Sequence, residues 1–310
     1  MNTTAPSVPF WGWPWAMPLA SGLNSGGATS TRTDYSASNW LSLPPGYWTD
    51  DTALALALAQ TLIAGEGKLD PMRLAGECAG YMQHGKHHPA ARCVDIGGTT
   101  SGAVSAFLAT GQPVGPHHEH SSGNGSLMRL APVSIVTTDP DRAAHLAREQ
   151  SRVTHASPAC LDACELLARM LVAAIATGDK NRTLDACGTR SFADPDIEAL
   201  ARGVWGKLSR DDIRSGGYVV DTLCASLWSV GTTDRFEDAV TLAVNLAGDA
   251  DTTGAVTGML AGAIYGVSSI PERFLTPLLW REHLTDVGEK LFRLRSSDPS
   301  GCSSRSNGYQ

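Results

Sequence analysis

Two short acidic stretches carry residue types that could do chemistry together. Thr49-Asp50-Asp51-Thr52 stands directly ahead of an apolar run beginning at Leu54, and Gly248-Asp249-Ala250-Asp251-Thr252-Thr253 stands ahead of a second. One such cluster would be read as a helix cap, because Asp and Thr at an N-terminus accept free backbone N–H groups and complement the helix dipole. Two are harder to explain that way. Facing carboxylates repel unless cations lie between them. Donors that are all oxygen, with no His or Cys adjoining, favour hard ions such as Mg²⁺, with Mn²⁺ or Ca²⁺ as alternatives. The spacing leaves two readings, a pair of helix caps or a dinuclear metal site.

Three further stretches add candidate groups. Ser122-Gly123-Asn124-Gly125-Ser126-Leu127-Met128-Arg129 is a turn-rich loop. Its backbone N–H groups could cradle a pyrophosphate, with Arg129 adding charge, although Asn-Gly pairs are mostly plain turns. His155 precedes Ser157-Pro158, a helix start, and so could face a pocket. Asp95, ahead of Gly97-Gly98-Thr99-Thr100, reads equally as a cap for a helix from Gly102 or as an acid/base carboxylate. His117, His118 and His120 fit no standard metal spacing and are read as a polar loop.

Helices must position these groups. Leu54, Leu58 and Leu62 recur every fourth residue until Gly65 and Gly67 end the run. Further helices are expected over 72–82, 102–109, 141–152, 158–176, 197–208, 218–230 and 234–246, with no strand pattern of comparable strength. In the stretch from Gly254, glycines recur at 258, 262 and 266 along one ridge, which would let a neighbouring helix approach closely. Ala- and Leu-rich helices joined by short Gly/Pro loops predict an all-α fold, a bundle of many helices.

Five of the eight tryptophans (Trp11, Trp13, Trp15, Trp40 and Trp48) lie near the start of the chain. The expected division is an atypical Trp/Gly/Ser-rich segment over 1–42 packed on the domain, the domain itself over 43–295, and a flexible tail over 296–310. The alternative for the aromatic start is contact with a partner. A formal charge of -7 argues against nucleic-acid binding. Seven cysteines without a Cys-x-x-Cys pair suggest neither a disulfide framework nor zinc. With no apolar run long enough for a bilayer and no basic residue before Arg32, a cytoplasmic protein with no membrane association is expected.

Taken in order, Trp48-Thr49-Asp50-Asp51-Thr52, Asp95-Ile96-Gly97, Gly123-Asn124-Gly125-Ser126-Leu127-Met128-Arg129 with Ala131-Pro132, Thr154-His155, Gly217-Tyr218-Val219-Val220-Asp221-Thr222 and Gly248 to Ala255 resemble the motifs of the ADP-ribosylglycohydrolase family. The likeness is greatest to the bacterial type that reactivates dinitrogenase reductase, and it spans roughly residues 43 to 291. The resemblance implies an all-α fold, a single large multi-helix orthogonal bundle with a dinuclear metal cleft, in which two Mg²⁺ (or Mn²⁺) ions are held by Thr49, Asp50, Asp51, Asp249, Asp251 and Thr252. It implies Asp95 as the acid/base residue beside catalytic Asp50 and Asp251. An ADP-ribose site would be lined by Asn124, Gly125, Ser126, Met128, His155 and Tyr218. The implied activity is removal of ADP-ribose from a modified protein, with arginine the expected acceptor. The chain departs from the family at its start, where Trp13 to Ala20 replaces the usual Gly-Asp-Ala and following Glu. That departure sets up the alternative, an ADP-ribose- or partner-binding protein with weak or lost turnover.

Overall fold

A computed structural model describes residues 43–296 of the chain. Over that span the fold is all-α, with thirteen α-helices and no β-strand among the described residues. An isolated antiparallel bridge joins Gly123 to Tyr218. The helices are α1 (Asp50–Ala64), α2 (Pro71–His84), α3 (Gly98–Thr110), α4 (Ala131–Ile135), α5 (Pro140–Arg152), α6 (Pro158–Thr177) and α7 (Lys180–Leu184). They continue with α8 (Pro195–Ala201), α9 (Val219–Gly231), α10 (Phe236–Val244), α11 (Ala250–Tyr265), α12 (Glu272–Leu275) and α13 (Arg281–Ser296).

Two helices form the centre, and both begin or end on features visible in the residues. α6 starts at Ser157, whose side chain accepts the Cys160 N–H, with Pro158 in the first turn, and it stops at Gly178 in the left-handed conformation (φ 62°). α11 is buried along nearly its whole length, including Gly254, Gly258 and Gly262, and packs on α6, α9 and α10. Each interior glycine costs about 1 kcal/mol against alanine. Burial among three helices offsets that cost, because the bare ridge removes the bulk between their backbones.

α1 is apolar on every side. Leu54, Ala55, Leu56, Ala57, Leu58 and Ala59 are all buried. The alternation of Leu and Ala has the period of a strand, but both residues are strong helix formers and both are apolar, so no face is lost by winding them into a buried helix. The segment entering α1 is pinned on both sides. Trp48 is fully buried, donates from Nε1 to the His87 carbonyl (3.2 Å) and meets Trp280 edge-on at 5.4 Å. His88 Nε2 donates to the Trp48 carbonyl (2.7 Å), while its Nδ1 accepts the Ala90 N–H (3.0 Å). These bonds fix the direction in which Thr49 and Asp50 leave the chain.

Most expected helices are present, with boundaries moved by caps. α3 begins at Gly98 rather than Gly102, with Gly97 as its N-cap, so Asp95 lies outside the helix and does not cap it. The expected helix over 197–208 is broken. α8 ends at Ala201, Gly203 turns left-handed (φ 81°), and a 3₁₀ turn covers Val204–Lys207. α13 was not anticipated. Its buried residues Leu284, Val287 and Leu291 are spaced for one helical face, but the helix is too polar elsewhere to stand out.

Candidate functional site

The two acidic stretches meet. Thr49 Oγ1 lies 2.9 Å from Asp51 Oδ2 and 3.5 Å from Asp251 Oδ2, a contact between positions 202 apart in the chain. The capping explanation fails at both helix starts: Thr49 and Asp249 occupy the N-cap positions of α1 and α11, and neither side chain makes a capping hydrogen bond. Thr49 Oγ1 faces Asp51 and Asp251 instead, and Asp249 Oδ2 accepts from Asn124 Nδ2.

The turn ahead of α11 is held under strain. Ala247 (φ 69°) and Gly248 (φ 66°) are both left-handed. Ser215 clamps them: its hydroxyl bonds the Ala247 carbonyl (2.8 Å), and its carbonyl accepts the Asp249 N–H (2.6 Å). A Cβ on Gly248 would stand 2.4 Å from the Ser215 carbonyl oxygen, so glycine is required there. Asp95 is also left-handed (φ 60°), and its carboxylate accepts the N–H of Ile96 at 2.8 Å.

The electrostatics of this cluster are one-signed. Asp50, Asp51 and Asp251 are buried (6, 1 and 5 % exposed). Burial raises all three carboxyls well above the usual range, and mutual repulsion adds to it: Asp95, Asp251 and Asp249 act on Asp50, Asp50 and Asp249 on Asp51, and Asp51 and Asp249 on Asp251. Asp95 is raised by its own burial, then by Asp249, with the Ile96 N–H opposing. No Lys or Arg figures among these influences. Asp51 Oδ1 and Thr52 Oγ1 are buried without a hydrogen-bond partner among the described residues. Orphaned oxygens in an uncompensated acidic cluster suit a hard divalent cation. Among the described residues no group of three or more His, Cys, Asp or Glu side chains is gathered closely enough to hold an ion as it stands.

A cleft of about 350 Å³ opens over this cluster, lined by Asp50, Asp95, Asp249, Asp251 and Thr252 on one side and by Gly97 to Thr100, Gly123 to Gly125, Met128, His155 and Gly217 on the other. The glycine loop is thus brought to the acidic centre, and its side chains divide by role. Asn124 donates to Asp249 Oδ2 (2.8 Å) and Thr222 Oγ1 (2.9 Å), so it fixes a carboxylate of the cluster. The Thr252 hydroxyl points at Met128 Sδ (3.8 Å). Ser126 is fully buried beneath the loop, 2.8 Å from Ser151 Oγ, and does not line the cleft. Arg129, read above as a cation for the pyrophosphate, is also fully buried beneath the loop. Tyr218 is 41 % exposed and borders an adjoining groove of about 790 Å³ together with His120, Asp194 and Asp196.

Gly125 faces the cleft at close quarters. An added Cβ would lie 2.8 Å from Thr100 Oγ1 and 2.9 Å from His155 Cε1. Gly125→Ala is therefore expected to displace the His155 ring, with a loss of stability of about 1–3 kcal/mol; thermal unfolding would measure it. Thr99 and Thr100 were missed by sequence reasoning. Thr100 Oγ1 is buried without a partner among the described residues, yet nothing in a Gly-Gly-Thr-Thr turn separates such a residue from an ordinary helix start.

Comparison with known proteins decides the family. The family model described as ADP-ribosylglycohydrolase matches residues 12–300. The chain belongs to the ADP-ribosylglycohydrolase family. It is 40% identical over 252 residues to "ADP-ribosylarginine hydrolase Tri1" of Pseudomonas putida (strain GB-1), covering 81% of this chain and 67% of that protein. It is 35% identical over 240 residues to "ADP-ribosyl-[dinitrogen reductase] glycohydrolase" of Rhodospirillum rubrum, covering 77% and 76%. A solved structure titled "ADP-ribosylglycohydrolase-related protein complex" superposes with a TM-score of 0.79 at 32% identity, over 92% of this chain and 96% of that one. The all-α architecture is thus the ADP-ribosylglycohydrolase fold, and the family is metal-dependent.

The Trp-rich start and its missing Gly-Asp and Glu lie outside the described residues, as does the tail beyond Ser296, which itself ends α13. Among the described residues no helix is long and apolar enough to cross a membrane.

Proposed function

We propose that this protein removes ADP-ribose from modified arginine side chains of a protein, by hydrolysis of the bond between the ribose C1″ and the guanidine nitrogen. The convergence of Thr49 with Asp251 supports it most directly, because it makes one site of two acidic stretches. Relatives at 35–40% identity bear names that specify ADP-ribosylated arginine or dinitrogen reductase.

Thr49, Asp50, Asp51, Asp249, Asp251 and Thr252 are assigned to hold two Mg²⁺ or Mn²⁺ ions. When bound, these ions supply the positive charge against which ribose hydroxyls and water are oriented. The chain's own groups do the rest. Asp50 and Asp251 present negative charge to the cationic ribose centre that develops as the bond breaks. Asp95, whose carboxyl is biased towards its protonated form, gives a proton to the departing nitrogen. It then takes one back from the water that adds to C1″, so the carboxyl is regenerated. Gly123 to Gly125, Met128 and His155 line the ADP-ribose side of the cleft, with Tyr218 at the neighbouring groove. Residues 43–295 are taken as one domain.

The test is incubation with an ADP-ribosylated arginine protein in Mg²⁺, in Mn²⁺ and in chelator. Release of free ADP-ribose is expected with either ion and not in chelator. Binding of ADP-ribose with no release under any of the three conditions would replace the hydrolase reading with that of a binding protein.

A further inference from the structure

The glycine loop rests on a buried cation that the chemistry above leaves unused. Arg129 is fully buried and makes no ion pair among the described residues. Its Nε donates to Gln150 Oε1 (2.8 Å), and its Nη2 donates to the Gln150 carbonyl (2.8 Å) and to Thr154 Oγ1 (2.8 Å). Its Nη1 has no partner among the described residues. A buried guanidinium held only by neutral acceptors is costly, so it needs a compensating role. Thr154 Oγ1 is also 2.8 Å from His155 Nδ1, and the His155 ring lines the cleft.

We infer that Arg129 is a positioning residue: through the Thr154 hydroxyl it sets the tautomer of His155, so that Nε2–H faces the cleft as a fixed hydrogen-bond donor for an acceptor oxygen of ADP-ribose. The identity of that ligand rests on the function proposed above. Arginine can only donate, so Thr154 Oγ1 accepts from it, and the one hydroxyl proton is left for a single acceptor. His155 Nδ1 is that acceptor. Were Nδ1 protonated instead, the buried Thr154 proton would have nowhere to go, and that costs more than the bond returns. A neutral imidazole with Nδ1 accepting carries its proton on Nε2. Burial, reinforced by the charge of Arg129, keeps the ring neutral, lowering its pKa to about 3. Nε2 has no hydrogen-bond partner among the described residues; what adjoins it is the Cβ-free faces of Gly123 and Gly125, where an added Cβ would lie 3.4 and 3.2 Å away. The donor therefore opens onto the space a ligand would fill.

The experiment uses the full chain labelled with ¹⁵N in its histidine rings. Long-range ¹H–¹⁵N spectra at neutral pH are recorded for the native protein, Thr154→Val and Thr154→Ser, with His155→Asn to assign the signal, and ADP-ribose affinity is measured by calorimetry. The expected result is an Nε2–H tautomer in the native protein and in Thr154→Ser. In Thr154→Val the Nδ1–H form becomes populated and ADP-ribose binds roughly tenfold more weakly. An Nδ1–H or doubly protonated ring in the native protein overturns the inference. So does a Thr154→Val protein that keeps the native tautomer, or one that loses it and binds ADP-ribose unchanged. Should Thr154→Val fail to fold, the native and Thr154→Ser spectra decide. The spectra need no turnover, so failure of the hydrolase reading and failure of this one are separately visible.

Discussion

Asp251→Asn is expected to lower the rate of ADP-ribose release by roughly 10²–10³-fold, the effect typical of removing a group that acts on charge developing in a transition state. The same substitution is expected to raise the melting temperature of the metal-free protein. Asp251 is buried beside Asp51 and Asp249, which repel it, and Thr49 Oγ1 lies 3.5 Å from its Oδ2. Asn keeps the shape and removes the repulsion. For a domain of this size about 1 kcal/mol of relief corresponds to roughly 2–4 °C. Activity and stability thus move in opposite directions, which simple misfolding would not produce. Release assays and calorimetry on one preparation measure both. Near-native turnover, or a fall in melting temperature in chelator, would remove Asp251 from the role assigned to it.

The second large effect concerns cations and pH together. In the metal-free protein the raised carboxyls of Asp50, Asp51, Asp251 and Asp95 keep their protons at pH values where the unfolded chain has lost them. The native state then binds more protons than the unfolded state, so this contribution to stability is present near pH 4 and is lost as pH rises through the native-state pKa values. His155 works in the other sense. With its pKa lowered to about 3, its contribution is present above about pH 6.5 and is lost as pH falls towards 3. The two overlap in a single melting curve, but His155 contributes alike with or without metal. The difference between melting temperatures in Mn²⁺ and in chelator therefore isolates the carboxylates. That difference is expected to grow from pH 5 to pH 8 and to reach roughly 5–10 °C at about a hundredfold excess of ion over its dissociation constant. A difference that is zero, or flat across the range, would show that the acidic cluster is not where the ion binds.

Individual residues show why some of this was legible in the chain and some was not. Asp50, Asp51, Asp249 and Asp251 stood out because acidic residues before strongly apolar helices have few uses, and capping was the only competing one. The absence of capping bonds at Thr49 and Asp249 needed the structure. Arg129 was read as a cation for the ligand because it follows the glycine loop closely. Its burial beneath the loop depends on Gln150 and Thr154, which lie on and just beyond α5 and share no local pattern with it. Ser126 went astray for the same reason, since its partner Ser151 comes from that same remote segment. The break after Ala201 turned on one left-handed glycine, where apolar spacing continues past a residue that ends the helix.

By itself the chain determined the kinds of atoms available and the stretches that wind into helices, because donor type and apolar period are local properties carried by neighbouring residues. Tertiary structure alone decided that Thr49 and Asp251 touch across 202 positions, and that the glycine loop shows its backbone to the cleft and its arginine to the core. Periodicity reports which face of a helix is apolar; it says nothing of which other face will cover it, and that choice is made by packing over the whole molecule.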